Sequence, residues 1–429
     1  MSGVNFSDLE SFGNLKEMYA EDAQYQDHVS NSIWSFIREA GKSEVNFDGN
    51  YWNIQTNFTL NESYAALNDN EHLPESDFPK GVFAKYRPKL MYSTIEATTF
   101  AATRGERGGR PTGKYLDDQI KSTFMSMLSN IDFDAYGNGR GYRGTISTAS
   151  AGAASFVPTS SMMLRAGMKL DWYDSTYATK RGTIKVAAKG VDRMNKTVYV
   201  DTSYGTGVVP VSATAGDILV VAGALNPNEP ADGRHIGGLA RLTDNTLSIG
   251  SLAPSTWALW QSPNLNASGA NPSQSFLQQH IDAFGIVSGL LAQKMVINPA
   301  WKRAYLEQFL NQRRFNTNSF DTGASTVSFT PVKMGTNEKG MKKPQRLDIL
   351  EDRTCPADSY FLWNDQAFCK APVSNYGEPH LADEDGREMR MRLGYDSMQG
   401  FLRAWTNTVV SQRNALCRGY GFATPTGAL

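Results

Sequence analysis

Residues 51–100 constrain the chain more than any other stretch. Two extended runs rich in threonine and aromatic residues, 51–60 and 82–100, flank a polar tip, Leu67-Asn-Asp-Asn-Glu-His-Leu-Pro-Glu-Ser-Asp-Phe-Pro-Lys80. Pro74 and Pro79 exclude a helix at that tip, because proline lacks an N–H and disfavours helical backbone in the residue before it. Trp52, Phe58, Tyr64, Phe78, Phe83 and Tyr86 are scattered among polar groups, too thinly for a self-sufficient core. A two-stranded hairpin is marginal alone in water. The tract therefore reads as a long hairpin reaching away from the body, its aromatic residues buried on a second copy of the chain. Asp69, Glu71, Glu75 and Asp77 near the tip stand against Lys80, Lys85, Arg87 and Lys89 on the return strand. Glu71, Glu75, Asp77, Lys80, Lys85 and Arg87 are the candidate interface residues. Charge pairing there would set the register between copies, although each exposed pair contributes little.

The rest of the chain has room for two or three packed units, since 429 residues is about three times the ~150-residue domain prior. The N-terminal part is acidic and polar to about residue 27. Val29, Ile33, Phe36 and Ile37 then form a helical stripe that Gly41 ends. After a Gly- and Arg-rich loop at 104–113, Leu116, Ile120, Phe124, Met127 and Ile131 fall three or four residues apart. That spacing predicts a helix with one apolar face and Asp117, Asp118, Lys121 and Ser122 on the other. Glycines in Tyr136-Gly-Asn-Gly-Arg-Gly-Tyr-Arg-Gly144 stop it. Over 160–223 the apolar residues alternate, as in Met168, Leu170 and Trp172, or Ile184 and Val186, which predicts a small independent β-barrel or sandwich. Two helices follow, one carrying Leu277, Ile281, Phe284 and Leu291, the other Trp301, Tyr305, Phe309 and Leu310 behind Pro299. Residues 326–370 read as extended, and the last forty residues match no single pattern.

Bulk properties exclude several classes. Lys and Arg number 42 against 43 Asp and Glu, so no global basic field draws the chain to nucleic acid or an anionic membrane. No apolar run reaches the ~18 residues of a membrane span. The first twenty residues carry Asp8, Glu10 and Glu17 and no apolar run, so no secretory leader is expected. Cys355, Cys369 and Cys417 are widely spaced and odd in number, which fits a reducing cytoplasm. The five histidines include no pair at a metal-ligand spacing.

The motifs that suggest enzymatic chemistry are incomplete. Gly108-Gly-Arg-Pro-Thr-Gly113-Lys114 fits the spacing of a phosphate-binding loop. Tyr115, however, stands where a Ser or Thr hydroxyl would bind Mg²⁺, and Pro111 removes one of the N–H groups that would wrap the phosphates. Gly139-Arg-Gly141-Tyr-Arg-Gly144 closes a helix, whereas a dinucleotide site joins a strand to one. Asp132-Phe-Asp134 could chelate a metal but has no supporting carboxylates nearby in sequence. No catalytic, cofactor or metal residues are assigned, and no enzyme is expected.

Several segments, in order, resemble the tailed-bacteriophage major capsid family, the Hong Kong ninety-seven type fold shared with encapsulin shells. Asn70-Glu-His-Leu-Pro-Glu-Ser-Asp77 followed by Lys85-Tyr-Arg-Pro-Lys-Leu90 looks like its extended loop. Tyr115 to Ile131, running into the glycine-rich turn, is similar to its spine helix. Gln293-Lys-Met-Val-Ile-Asn-Pro-Ala-Trp301 resembles a strand-to-helix step of its axial domain, and 347–363 a late strand pair of its peripheral domain. The resemblance implies an α+β fold with an extended loop, a spine helix and an inserted β-rich domain. It implies an N-terminal arm and helix over 1–50, the extended loop over 51–100, and a peripheral domain from 101–159 and 326–395. The inserted domain would be 160–223, and the axial domain 224–325 with 396–429. The implied function is self-assembly of hexamers and pentamers into an icosahedral head around double-stranded DNA, assembled in the host cytoplasm and resident in the virion. Implied partners are a separate scaffolding protein, a portal, a cement or decoration protein, and packaged DNA in weak non-specific contact, with no membrane. The alternatives are an encapsulin-like shell and a nucleotide-binding enzyme using Gly108–Lys114.

Overall fold

The computed structural model describes residues 32–423, except 42–43, 65, 68–71, 73–74, 76–77, 79, 99–111, 150, 226–232, 308–346, 374–376, 378, 382–388 and 393. The chain divides into two compact units, Met1–Ser35 with Arg87–Gly238 and Lys370–Thr408, and Phe36–Tyr86 with Leu239–Cys369 and Val409–Leu429.

The first unit is built on helix α2 (Thr112–Tyr136), whose Met127, Ile131, Phe133, Ala135 and Tyr136 are buried. A short helix α1 (Ser32–Phe36) precedes it. The glycines after α2 are needed for their backbone: Gly139 and Gly141 have φ of 82° and 69°, and a Cβ at Gly141 would lie 2.6 Å from that of Ala224. The turn delivers the chain to β5 (Tyr142–Thr148), the first strand of a closed barrel. Its other strands are β6 (Ser155–Pro158), β7 (Lys169–Tyr173), β8 (Lys180–Asp192), β9 (Thr197–Val200) and β10 (Ile218–Val221), in the order β10-β5-β6-β9-β8-β7. Phe156, Leu170, Trp172, Ile184, Val186, Val198 and Leu219 fill it, and the Trp172 indole donates to Asp217 Oδ2 at 2.8 Å. Closure leaves the barrel no open edge. It takes in 142–158, which the sequence reading placed outside the β-rich segment. Alternation there is broken by a register shift between Ile146 and Thr148.

The unit also holds a sheet in which β4 (Lys89–Thr98) pairs with β17 (Ser397–Val410) from Lys89↔Thr406 to Thr98↔Ser397. β16 (Arg390–Met391) and β15 (Phe368–Pro372) complete it. The extended run 82–100 is therefore two strands in two sheets. It divides at Arg87-Pro88, where proline has no N–H for either ladder.

The second unit carries a sheet of order β11-β18-β14-β12-β13. β12 (Lys294–Ile297) lies between β13 (Asp348–Glu351), parallel, and β14 (Tyr360–Trp363), antiparallel. β18 (Leu416–Tyr420) pairs with β14 and with β11 (Leu265–Asn266). Hence 347–363, which the sequence reading grouped with 101–159, shares a sheet with 294–297. The final segment is divided, with 397–408 in the first unit and 416–420 in the second. Helix α3 (Leu239–Leu242) is a single turn, and helix α4 (Gln274–Ser288) starts at a Ser273 cap and ends on Gly289 in the left-handed region at φ 68°. Helix α5 (Pro299–Glu307) follows β12. Leu277, Phe284, Met295, Ile297, Trp301, Tyr360 and Leu362 share one core. Inside it, neutral His280 bridges the Tyr360 hydroxyl (2.8 Å) and the Pro263 carbonyl (2.7 Å). Burial lowers its pKa to about 4.

Candidate subunit interface

The hairpin belongs to the second unit. β2 (Trp52–Asn57) and β3 (Gly81–Tyr86) pair from Trp52↔Tyr86 to Asn57↔Gly81, and β1 (Asn46–Phe47) joins β2. Strand alternation sorts its residues. Trp52, Ile54, Ala84 and Tyr86 are buried, while Gln55, Phe83 and Lys85 face outward.

The buried face is fixed by specific contacts. Lys85 N–H donates to the Gly250 carbonyl (2.9 Å). A Cβ at Gly250, whose φ is +61°, would sit 2.9 Å from that of Ala84, so only glycine permits this approach. The Tyr86 hydroxyl donates to the Val410 carbonyl (2.8 Å), and Thr56 Oγ1 to that of Ser411 (3.1 Å). Burial pushes the Tyr86 phenol well above its ordinary range, which keeps it a donor. Phe58 stacks on Trp257, with centroids 4.3 Å apart. Near Gly250, the buried Arg413 guanidinium donates to the carbonyls of Leu242 (2.9 Å), Asp244 (2.5 Å) and Leu247 (3.1 Å). Burial lowers its pKa to about 10, so it remains charged at neutral pH. The six hairpin aromatics therefore split. Trp52, Phe58 and Tyr86 find burial or a stacking partner within their own chain, contrary to the sequence reading, which sent all of them to another copy.

The tip is different. Leu60 is 76% exposed, Tyr64 90% and Phe78 76%, and outward-facing Phe83 on β3 is 54% exposed. These are large apolar side chains exposed on one arm. Of the charged candidates, Glu75, Lys80, Lys85 and Arg87 are exposed along this arm, whereas Glu71 and Asp77 lie outside the described residues. Lys80 closes the ladder, its N–H on Thr59 Oγ1 (2.7 Å) and its carbonyl accepting from Phe58 N–H (3.0 Å). Lys89 does not face the tip. It is buried in the first unit and donates to the Gly233 carbonyl at 3.0 Å. Gly250 and Arg413 carried no local signal in sequence, because their partners are far along the chain.

The enzymatic motifs have structural employment. Asp132 accepts the N–H groups of Ile33 (2.9 Å) and Trp34 (3.0 Å). Asp134 is buried between Arg143 (2.7 Å) and His235 (2.6 Å). Burial alone would raise its pKa, but these two neighbours hold it below the ordinary carboxylate value. Thr112, Gly113, Lys114 and Tyr115 open α2, while 108–111 lie outside the described residues. Among the described residues, no group of three or more His, Cys, Asp or Glu could hold a metal ion, and no helix is long and apolar enough to cross a membrane.

Neither a family model nor a curated protein matches the sequence. Solved structures do match in shape. A subunit of the cyanophage A-1(L) capsid asymmetric unit superimposes with a TM-score of 0.53 at 10% identity, over 95% of this chain and 97% of that one. The capsid of a native GTA particle gives 0.47 at 9% identity, over 97% and 99%. The SrpI encapsulin of Synechococcus elongatus gives 0.41 at 7% identity, over 96% and 95%.

Proposed function

We propose that this chain, which has the tailed-phage major capsid fold, is the major capsid protein of a tailed phage and assembles into the shell around its double-stranded DNA. The observation that carries the reading is the end-to-end match with a capsid subunit, 95% of this chain on 97% of that one. A partial match would have left room for a different function in the remainder. The hairpin supplies the physical means. Its root is fixed to its own unit while Leu60 and Tyr64 are exposed beyond it, so a repeated neighbour burying each tip gains apolar contact at every copy. Glu71, Glu75, Asp77, Lys80, Lys85 and Arg87 set the register of that contact.

Hexamers and pentamers of the one chain form the head, with a separate scaffolding protein guiding closure, a portal at one vertex and a cement or decoration protein outside. A formal charge of −1 lets packaged DNA lie against the wall without strong adhesion. The chain performs no catalysis in this role. The test is expression of the full chain, gradient sedimentation at rising concentration and negative-stain imaging. Rings or closed shells support the proposal, and a species that stays monomeric at the highest attainable concentration contradicts it. Shells that package a protein cargo and protect no DNA in phage-producing cells would instead favour an encapsulin-like compartment.

A further inference from the structure

Both crossings of the chain into the barrel run through left-handed glycines, Gly139 and Gly141 on the way in and Gly223 (φ 77°) on the way out. Backbone of this kind turns easily unless side chains fix it. On one side buried charge does so. Arg143 pairs with Asp134 (2.7 Å), Arg165 reaches the Ser126 carbonyl (3.2 Å), and both guanidinium groups lie over the Phe133 ring. On another side stands Tyr177, in the loop between β7 and β8. Its hydroxyl accepts from Asn138 Nδ2 at 2.8 Å, and the Arg140 guanidinium lies 4.6 Å over its ring. Asn138 and Arg140 flank Gly139, so this contact closes on the turn by which the chain enters the barrel. Ser175, Thr176, Ala178 and Thr179 of the loop are exposed, while Tyr177 is half-buried against that turn.

The contact is made with strained backbone. Tyr177 has φ of 63°, a left-handed conformation that a Cβ disfavours and that is uncommon for a bulky residue. Asp174 holds the loop in it. The Asp174 carboxylate accepts the N–H groups of Ala178 (2.9 Å) and Thr179 (3.2 Å), and its carbonyl accepts that of Tyr177 (3.1 Å). The strain offsets part of what one neutral hydrogen bond and one partly exposed cation–π contact contribute. The two attachments therefore differ in kind. The buried pair on α2 is costly to break from one side, and the Tyr177 contact is the one that yields first. We propose that Tyr177 is a strained latch that sets the angle of the barrel on α2, and that its release lets the barrel turn on the glycines as a folded body. Such a device gives one chain more than one barrel orientation without unfolding.

The test uses the full chain as dilute free subunits and does not depend on shell formation, so its failure is distinct from failure of the capsid reading. Ser122→Cys on α2 and Lys189→Cys on the barrel carry spin labels, and pulsed electron paramagnetic resonance reads the distance between them. Both positions are exposed, and the native cysteines are buried. With Tyr177 in place the labels should give one main distance. Tyr177→Asn removes the ring but keeps a residue that tolerates left-handed backbone, and it should broaden the distribution at least two-fold or add a second distance. Tyr177→Phe keeps the ring under Arg140 and loses the bond to Asn138, and its distribution should fall between. Hydrogen exchange in β7 to β10 should be the same in all three, since the barrel moves whole. An unchanged distance distribution in Tyr177→Asn overturns the proposal. So does a broadened one accompanied by faster exchange in those strands, because the barrel would then be loosening and not turning.

Discussion

The barrel and the hairpin are both made of antiparallel strands, and they end in opposite conditions. The barrel closes on itself and surrounds Trp172 with its own residues. Arg143 at its first strand is tied back to α2 through Asp134 (2.7 Å) and Asn130 (3.1 Å), and Arg165 reaches the Ser126 carbonyl at 3.2 Å. The hairpin buries only one face of its root and leaves Leu60, Tyr64 and Phe78 exposed. A segment that completes its own hydrogen bonds and core can be carried as part of a folded unit. One that leaves large apolar groups exposed offers them to another molecule. The same contrast changes what an insertion means here, because the barrel's ties to α2 make it part of its unit's framework.

The largest expected effect comes from cutting the barrel. Replacing 160–223 by a Gly/Ser linker removes β7 to β10 and leaves β5 and β6 paired only with each other, and the product should be insoluble. Soluble, cooperatively folding product would show that the barrel strands before residue 160 do not depend on those after it. A smaller effect is expected from Arg143→Met, which leaves Asp134 buried with His235 as its remaining partner. Breaking a buried pair from one side costs about 3–5 kcal/mol, measurable by urea unfolding of the free subunit. A loss within error would mean that the clamp to α2 is not held by charge.

Acid should separate the two units. Unfolded histidine titrates near 6.5, whereas His280 in the folded core resists protonation to about 4. Below pH 6.5 the unfolded state therefore binds the extra proton. Stability of the second unit should fall by up to about 3 kcal/mol as pH drops from 6.5 to 4. Asp134, held below the ordinary carboxylate value, keeps its contribution through that window and loses it only at lower pH. His280→Gln should flatten the loss between pH 6.5 and 4, and an unchanged acid limb would place its origin elsewhere. The smallest effect on folding belongs to the tip. Tyr64→Ser and Phe78→Ser should alter free-subunit stability by no more than about 0.5 kcal/mol while abolishing particles in gradient sedimentation. Normal particles from the double variant would remove the tip from the interface.

Much of this was legible where periodicity is local. The 116–131 stripe, the glycine stop after it, the barrel alternation and the two helices around 277 and 301 each announce themselves within a short window. β17 did not, for a physical reason. Its more buried face carries Leu402, Ala404 and Thr406, while the larger Phe401 and Trp405 lie on the less buried one. Its partner β4 is some three hundred residues away, so no local pattern could join them. The hairpin was readable as a hairpin, but its anchoring was not. Gly250 and Arg413 act through backbone carbonyls and close approach, which composition does not record. The site was legible as an arm and a set of charges, and the division into root and tip came only from burial.

Hydrogen exchange, followed by segment in free subunits and in sedimented particles, tests the central claim most directly. The root strands 52–57 and 81–86 should be protected in both states, because their bonds to each other and to Gly250 are made within one chain. The tip, 60–79, should exchange freely in subunits and become protected only in particles. Equal exchange of the tip in both states would contradict the account, since no neighbouring subunit would then be covering it.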